Sequence, residues 1–274
     1  MSKALHQLLT APRSIVMGIL NVTPDSFSDG GNYLEIGAAK KQIELMLESG
    51  ADIIDIGGES TRPGADEVSL EQELERVVPL IELAKSMGAI VSVDTSKPKV
   101  MQEAISLGAD LINDVRALQE DGAIEVVSDS DVYVCLMHMQ GQPRSMQLNP
   151  HYDDVVTQVQ DMLRKRIAEC VHHGIERSRI IIDPGFGFGK DLEHNCRLMN
   201  QLDDFLKIKL PVLVGVSRKT MIGQILDKEV DDRMLGSVVA ASYAAIKGAK
   251  ILRVHDVKET VEALKVVDAF EGNN

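Results

Sequence analysis

Polar side chains that can donate, accept or exchange protons recur along the chain, each directly after a short apolar segment. They comprise carboxylates, carboxamides, imidazoles, a hydroxyl and a guanidinium. Because the carboxyl ends of parallel strands gather at one face of a barrel, side chains at those ends are expected to form one site. A single such residue would be an ordinary loop cap, but nearly every segment carries one. The residues are Asn21, Asp55, Asp94, Asn113, His138, Asp183, Ser217, Arg253 and His255.

Arg253 and His255 lie two residues apart in the last apolar segment, so their side chains face the same way. An arginine inside a protein is costly unless it meets a carboxylate or an anionic ligand, and we predict such a partner for Arg253. Met137 and His138 have opposite parity. We expect Met137 to line the pocket and His138 to be a hydrogen-bonded structural histidine. The pattern favours a small anionic substrate.

Two connections, 22–34 and 59–68, are longer than a turn between a strand and a helix requires. Both are rich in Ser, Gly, Pro and Asp. Long loops at the mouth of a barrel favour mobile lids over a substrate, and surface decoration is the alternative. The pair Thr61-Arg62 favours the lid, because a guanidinium can donate two parallel hydrogen bonds to a phosphate.

A glycine-rich run, IIIDPGFGFGK at 180–190, ends one of the apolar segments. A Gly-x-Gly-x-Gly pattern by itself is weak evidence for a dinucleotide site. The run places Asp183 at the end of a predicted strand, with Phe188 just above it. After the next segment, Ser217 and Lys219 bring a hydroxyl and a cation to the same rim.

The elements that must position these residues alternate between two types. Continuous apolar segments of strand length indicate strands that are buried on both faces of a parallel sheet. They lie at 14–21, 52–57, 89–95, 110–115, 132–139, 179–184, 211–217 and 250–255. Segments with helical periodicity lie between and after them, at 38–49, 70–87, 98–107, 155–173, 232–247 and 257–270.

The connections between these elements also repeat. Helical segments end in Gly-Ala at Gly50, Gly88, Gly108 and Gly248, where glycine tolerates the left-handed conformation that closes a helix. Eight strand-helix units in about 250 residues predict an α/β fold of the (β/α)₈ TIM-barrel class. We expect one domain over 1–274 with a short amino-terminal extension, 1–13. A doubly wound open sheet is the alternative, but no Gly-rich turn follows the first strand.

Composition excludes several kinds of function. The formal net charge of −13 argues against a sequence-independent nucleic-acid binder, and the absence of Trp argues against stacking platforms for bases or sugars. No segment approaches the roughly 18 apolar residues of a membrane span. The three cysteines are far apart and form no framework, which favours a reducing compartment, and the amino terminus lacks a signal peptide. We expect a cytoplasmic protein that binds neither membranes nor nucleic acid.

Motifs along almost the whole chain resemble the dihydropteroate synthase family, the folate-pathway enzymes that sulfonamide drugs target. They are individually long and occur in order: MGILNVTPDSFSDGG (17–31), DIGGESTRPGA (55–65), SVDTSKP (92–98), INDV (112–115), CLMHMQG (135–141), DPGFGFGK (183–190), GVSRKTMIG (215–223) and RVHDV (253–257). The resemblance implies that 6-hydroxymethyl-7,8-dihydropterin diphosphate is condensed with p-aminobenzoate. Diphosphate leaves, and 7,8-dihydropteroate forms.

The resemblance assigns the pterin to one group of residues. Asp94, Asn113, Asp183 and Lys219 would hold the pterin, and Met137 would lie along its pocket. A pterin presents an edge of amide and amino N–H donors, which is matched by carboxylate acceptors and by an amide that both donates and accepts. A site that satisfies this edge rejects analogues that lack it.

The diphosphate is assigned to a second group. Asn21, Thr61, Arg253 and His255 would serve it, with the cofactor Mg²⁺ bound at Asn21. Cations stabilise a multiply anionic group as it departs. Mg²⁺ keeps several waters and few protein ligands, so one Asn together with substrate oxygens is sufficient.

A third group would surround p-aminobenzoate and the leaving group, namely Arg62, Pro63, Phe188, Ser217 and Lys219. The aniline nitrogen is already nucleophilic, so no strong general base is required. Departure of diphosphate before attack would leave a cationic pterin methylene, and we expect Asp94 to stabilise it in a dissociative, S_N1-like reaction. Closure of the two loops would exclude water, which competes with the aniline.

We expect catalysis to depend on five residues, which are Arg62, Asp94, Lys219, Arg253 and His255. Three alternatives stay open at this point. A pterin-binding methyltransferase would share the carboxylates, a catalytically silent paralogue would bind pterin without turnover, and an aldolase would form a Schiff base at Lys219. The family also implies a homodimer. The small-residue segment 236–248 is a candidate for its interface and equally for packing against the barrel.

Overall fold

Eight parallel strands form a nearly closed barrel in the computed structural model, which describes residues 2–22, 32–59, 68–141 and 146–272. The strands pair in the order β6-β5-β4-β3-β2-β1-β8-β7, and a parallel bridge between Ile182 and Val212 joins the two ends. Their bounds are β1 Ile15–Asn21, β2 Ile53–Gly57, β3 Val91–Asp94, β4 Leu111–Asp114, β5 Tyr133–Met137, β6 Ile180–Asp183, β7 Leu213–Val214 and β8 Ile251–Val254.

Helices connect the strands and cover the outside of the barrel, as the repeat of strands and helices predicts. They are α1 Lys3–Thr10, α2 Asn32–Glu48, α3 Leu70–Ser86, α4 Pro98–Ser106, α5 Ala123–Ser128, α6 Val155–His172, α7 Leu192–Asn200, α8 Thr220–Leu226, α9 Met234–Ile246 and α10 Val257–Glu271. Short 3₁₀ turns lie at Arg177–Arg179, Leu202–Ile208 and Val230–Arg233. The predicted (β/α)₈ class is confirmed.

The helix ends were predicted well. Gly50, Gly88, Gly108 and Gly248 all have positive φ, between 77° and 95°. In each case the N–H of the following alanine reaches back to a carbonyl of the last helical turn, as for Ala51 and the Met46 oxygen at 2.9 Å. This closure satisfies a carbonyl at the helix end and turns the chain directly into the next strand.

Some boundaries differ from the prediction. Helix α2 begins at Asn32, so the end of the predicted loop 22–34 is helical. The seven-residue segment predicted as the seventh strand contains only Leu213–Val214 as a strand. Apolar character over 211–217 reflects burial of the whole segment, and burial alone does not require ladder hydrogen bonds. The predicted extension 1–13 contains helix α1.

Helix α1 closes the amino-terminal end of the barrel. Leu5 is fully buried in a cluster with the inward-facing side chains of the strands, including Ile15, Met17 and Ile53. His6 Nδ1 lies 3.0 Å from the hydroxyl of Tyr133, which also points inward. The lower barrel is therefore filled and apolar, whereas the second and larger core cluster lies between the strands and the outer helices.

We predict that Leu5→Ala lowers the free energy of unfolding by about 2–4 kcal/mol, because a buried leucine is lost and a cavity remains. Urea denaturation followed by circular dichroism measures the change. Leu148→Ala is the matched control, because Leu148 is 78% exposed and its truncation should cost under about 0.5 kcal/mol. Equal stability of Leu5→Ala and the unsubstituted protein would show that α1 does not close the barrel.

Candidate active site

A layer of polar side chains fills the carboxyl-terminal end of the barrel, above the apolar layer. Asp55, Asp94, Asn113 and Asp183 are all buried, and Arg253 is half-buried among them. They alternate with apolar residues along their strands, in register with one another: Asp94 pairs with Asn113 across β3 and β4. The strands thus bring together the residues that the sequence placed at their ends, as predicted.

The guanidinium of Arg253 joins two buried carboxylates. Its Nε donates to Asp55 Oδ2 and its Nη2 donates to Asp94 Oδ2, each at 2.6 Å. Burial by itself lowers the pKa of Arg253, but the two carboxylates outweigh this effect and raise the pKa above its ordinary value. The predicted carboxylate partner of Arg253 is therefore present. Within the part of the chain that the structure describes, Nη1 has no hydrogen-bond acceptor and stays free for an anionic ligand.

Asp94 is the carboxylate whose protonation is most altered by the site. Burial raises its pKa, the charge of Arg253 opposes that rise, and the nearby Asp55 adds to it, so that the pKa is about 7. Asp55 is fully buried, and its Oδ1 has no hydrogen-bond partner in the described residues. Two carboxylates thus share one guanidinium, which leaves this side of the site with an excess of negative charge when both are ionised.

Lys219 lies on the opposite side, above Asp183. Its Nζ donates to the carbonyl of Phe186 at 2.5 Å and lies 4.4 Å from the centre of the Phe188 ring. Burial lowers the pKa of Lys219 to about 8, although Asp183 acts against this shift. Burial also raises the pKa of Asp183, whose Oδ1 accepts a 2.7 Å hydrogen bond from the Gly185 N–H.

Ser217, which follows β7, and His255, which follows β8, are neighbours. The hydroxyl oxygen of Ser217 lies 3.0 Å from Nδ1 of His255 and accepts from the backbone N–H of His255 at 3.2 Å. Gly215, just after β7, lies beside Arg253, because a Cβ there would be in ordinary van der Waals contact with the Arg253 Cβ at 3.7 Å. The structure therefore brings the hydroxyl of Ser217 and the imidazole of His255 together.

Met137 and His138 are consecutive residues at the end of β5 and just after it, and both are buried. Met137 is buried at the end of β5, paired in register with Asp183. His138 is also buried, and its Nδ1 lies 2.9 Å from Nζ of Lys190. Burial and the charge of Lys190 lower the pKa of His138 to about 2, so the imidazole is neutral and serves as a hydrogen-bond acceptor.

Asn21 ends β1 beside the acidic side of the site. A Cβ added to Gly57 would lie 3.3 Å from Asn21 Oδ1 and 3.5 Å from the Asp94 Cβ, so the glycine keeps open the space between them. The described residues contain no group of three His, Cys, Asp or Glu side chains that could hold a metal ion. Asn21 Oδ1 is an oxygen of the kind that hard cations prefer, and it borders the space that Gly57 keeps open.

Two important residues were not among the predicted site residues. The sequence predicts Asp55 at a strand end but assigns it no role. An inward-facing carboxylate there is a natural partner for an inward-facing Arg253, and this was a usable signal. Lys190 ends the motif DPGFGFGK, and nothing in the sequence indicates that this lysine is buried. The predicted residues Thr61, Arg62 and Pro63 lie outside the described residues, as does most of each predicted lid.

Comparison with known proteins identifies the family. Residues 17–255 match the model of the family described as pterin binding enzyme. The chain is 54% identical to the dihydropteroate synthase of Escherichia coli strain K12 over 255 residues, which cover 93% of this chain and 90% of the relative.

Solved structures agree with the sequence comparison. A Yersinia pestis dihydropteroate synthase in complex with a sulfonamide drug has a TM-score of 0.91 and 52% identity, covering 95% of both chains. A Xanthomonas albilineans dihydropteroate synthase with 4-aminobenzoic acid has a TM-score of 0.90 and 49% identity, covering 95% of this chain and 94% of its own. The Xanthomonas enzyme in complex with 7,8-dihydropteroate has a TM-score of 0.86 and 46% identity over the same shares.

We predict that the Asp94 carboxyl titrates with a midpoint near pH 7 in the unliganded protein, which ¹³C NMR of the side-chain carboxyl carbon measures. Arg253→Met should raise the midpoint, because the guanidinium favours the carboxylate. Asp55→Asn should lower it, because a neighbouring negative charge is removed. A midpoint near 4 that neither substitution moves would contradict the electrostatics of this site.

Proposed function

The chain belongs to the dihydropteroate synthases of the pterin-binding enzyme family, and we propose how its described residues carry out the reaction. That reaction is the condensation of 6-hydroxymethyl-7,8-dihydropterin diphosphate with p-aminobenzoate in folate synthesis, which makes the chain a transferase. The observation that carries the proposal is the buried polar layer, in which Arg253 bridges two carboxylates opposite Asp183 and Lys219.

The pterin ring enters the layer with its amide and amino edge towards Asp183 and Asn113. A buried carboxylate and a buried carboxamide satisfy the N–H donors and the carbonyl of that edge. Met137 lies against the ring, and Lys219 donates to it from above. Because these partners are desolvated before the substrate arrives, a ring that lacks the matching groups leaves them unpaired and is rejected.

The diphosphate lies at the rim formed by Ser217, His255 and Arg253. The free Nη1 of Arg253 donates to phosphate oxygens while the remainder of the guanidinium stays fixed by Asp55 and Asp94. A group held on one side by two carboxylates does not need to reorganise when charge develops, and this lowers the cost of the transition state. Thr61 and Arg62 complete the rim in this proposal, on the strength of the motif match.

Asp94 stabilises the positive charge that develops on the pterin methylene when the C–O bond to diphosphate breaks. Its carboxylate acts in a buried setting, where electrostatic attraction is far stronger than in water. The aniline nitrogen of p-aminobenzoate then attacks the carbon and loses a proton. Phe188, Ser217 and Lys219 surround this second substrate in the proposal, and the motif match adds Pro63.

Mg²⁺ fits the acidic side of the site. Asn21 would hold the ion through its oxygen, in the space that Gly57 keeps open beside Asp94. When bound, the ion neutralises charge on the departing diphosphate. A single neutral protein ligand agrees with the preference of Mg²⁺ for water and phosphate oxygens.

The protein assembles as a homodimer through α9 and α10 in this proposal. Three small residues of the segment 236–248 are buried, namely Ser237, Ala241 and Ala244, whereas Leu235 and Val239 are 67% and 60% exposed. Phe270 on α10, which packs against α9, is 85% exposed. Large apolar side chains concentrated on one face favour a partner surface of the same kind, which a second copy supplies.

The cytoplasm is the proposed location. Cys135, Cys170 and Cys196 are all free, which agrees with a reducing compartment. No described helix has both the length and the apolar character to cross a membrane.

We predict that Asp94→Asn lowers kcat about 100-fold with little change in the KM for p-aminobenzoate, because the carboxylate acts chiefly on the transition state. Formation of labelled dihydropteroate from labelled p-aminobenzoate, the pterin diphosphate and Mg²⁺ measures it, with EDTA as the metal-free arm. Activity of the unsubstituted protein should fall as the pH drops below about 7, because Asp94 becomes protonated.

Asp129→Asn is the control for this substitution, because Asp129 is an exposed carboxylate at the end of α5. Normal turnover by Asp94→Asn would remove the carboxylate from the mechanism. Full activity in EDTA would remove Mg²⁺ from it, and the two results are independent of each other.

We predict that the double substitution Leu235→Asp and Val239→Asp converts a dimer into a monomer, because two carboxylates would be buried at the interface. Sedimentation velocity at micromolar concentration measures the mass. Val171→Asp is the control, because Val171 is 43% exposed on α6, which packs against β5 and α7 and not against α9 or α10. A protein of 30.0 kDa that sediments as a monomer before any substitution would refute the dimer.

A further inference from the structure

The glycine-rich loop after β6, residues 185–189, has all five of its carbonyl groups bound by side chains. Tyr152 donates to Gly189, Gln147 to Gly187, and Lys219 to Phe186. The carbonyls of Gly185 and Phe188 both accept from a single donor, Lys190. A loop in which every carbonyl has a side-chain donor is held in one conformation, unlike a loop that is hydrated by water.

Lys190 is almost completely buried, with 2% of its surface exposed. Its Nζ has three partners: the Gly185 carbonyl at 2.8 Å, the Phe188 carbonyl at 3.1 Å and His138 Nδ1 at 2.9 Å. Three acceptors match the three N–H donors of one ammonium group. Burial lowers the pKa of Lys190 well below its ordinary value, the nearby Asp183 acts against this shift, and the charge of Lys219 adds to it.

The loop cannot reach this arrangement without its glycines. Gly185 has a φ of +70°, and a Cβ there would lie 1.8 Å from the His138 carbonyl oxygen. Gly189 has a φ of +65°, and its Cβ would lie 2.4 Å from the carbonyl oxygen of Gln140. The loop therefore lies directly on the segment that follows β5, and Lys190 joins the two by binding His138.

The two phenylalanines of the loop contact Lys219. The carbonyl of Phe186 accepts from Lys219 Nζ, and the ring of Phe188 lies under the same ammonium group. A Cβ on Gly187 would lie 3.3 Å from the Lys219 Cδ, so the lysine stem also crosses the loop closely. The position of Lys219 therefore depends on the conformation that Lys190 maintains.

We propose that Lys190, together with His138, is a positioning residue for the condensation: it fixes the glycine-rich loop that orients Lys219 and Phe188 over the substrates. The proposal deepens the function given above and depends on the role assigned there to Lys219. Lys190 itself touches neither substrate, because its three N–H groups are already bound to the protein.

A double-mutant cycle between Lys190 and Lys219 tests the proposal. Lys190→Met keeps the length and apolar stem of the side chain but removes all three donors. We expect it to lower kcat/KM at least 30-fold in the unsubstituted protein and less than 3-fold in a Lys219→Met background. A merely structural role would give the same loss in both backgrounds, and that result would overturn the proposal.

A second pair of variants leaves Lys190 unchanged. His138→Asn keeps an acceptor near the position of Nδ1, whereas His138→Leu has none. We expect His138→Leu to lower kcat/KM at least 10-fold and His138→Asn to retain most of the activity. Equal activity of the two would overturn the proposal, even where Lys190→Met fails to fold.

Lys165→Met is the matched control, because Lys165 is exposed on α6 and lies outside the site. Full activity of Lys219→Met on its own would also overturn the proposal, by a different signature: the role given to Lys219 in the proposed function would be wrong. Loss in Lys219→Met without coupling to Lys190 would leave that function intact and refute only the positioning role.

Discussion

The ion-paired guanidinium of Arg253 is the interaction on which the site depends. A guanidinium inside a barrel loses its hydration, and only two good hydrogen bonds to Asp55 and Asp94 compensate for that loss. The same bonds fix the rotamer of Asp94 and leave Nη1 of the arginine directed to a ligand. Removal of either carboxylate would leave a buried charge with half of its partners. The pairing therefore stabilises the upper barrel and holds the Arg253 guanidinium in place for an anionic ligand.

The layer carries both positive and negative side chains. They suit two stages of the proposed reaction, binding of the anionic substrate and formation of a cationic intermediate. In the proposed mechanism, Arg253 and Lys219 attract the anionic substrate, and Asp94 and Asp55 favour the cation that is left when diphosphate departs. A site with only cations would bind the diphosphate but resist the cationic intermediate. Because the carboxylates are tied to Arg253, neither kind of charge is present without a compensating group nearby.

Much of this arrangement could be predicted from the sequence, because parity along a strand decides which side chains face inwards. The carboxylate partner predicted for Arg253 is present, and His138, predicted to be a hydrogen-bonded structural histidine, is buried against Lys190. The burial of Lys190 could not be predicted, since it depends on how a loop of alternating glycines folds onto the segment after β5. The burial of Leu5 could not be predicted either, because it depends on helix α1 lying across the open amino-terminal end of the barrel.

The pKa of Asp94, near 7 without ligand, connects the resting site to its function. Positive charge beside a carboxyl favours its ionised form, so the developing pterin cation would lower this pKa. Linkage is reciprocal: whatever the cation contributes to ionising Asp94, the ionised Asp94 contributes to stabilising the cation. A carboxyl that is fully ionised at rest has no proton left to lose when the cation develops. A carboxyl near its midpoint is half protonated at rest. The proposed mechanism therefore proceeds through molecules whose Asp94 has already released its proton to solvent, and their fraction grows as the pH rises above 7.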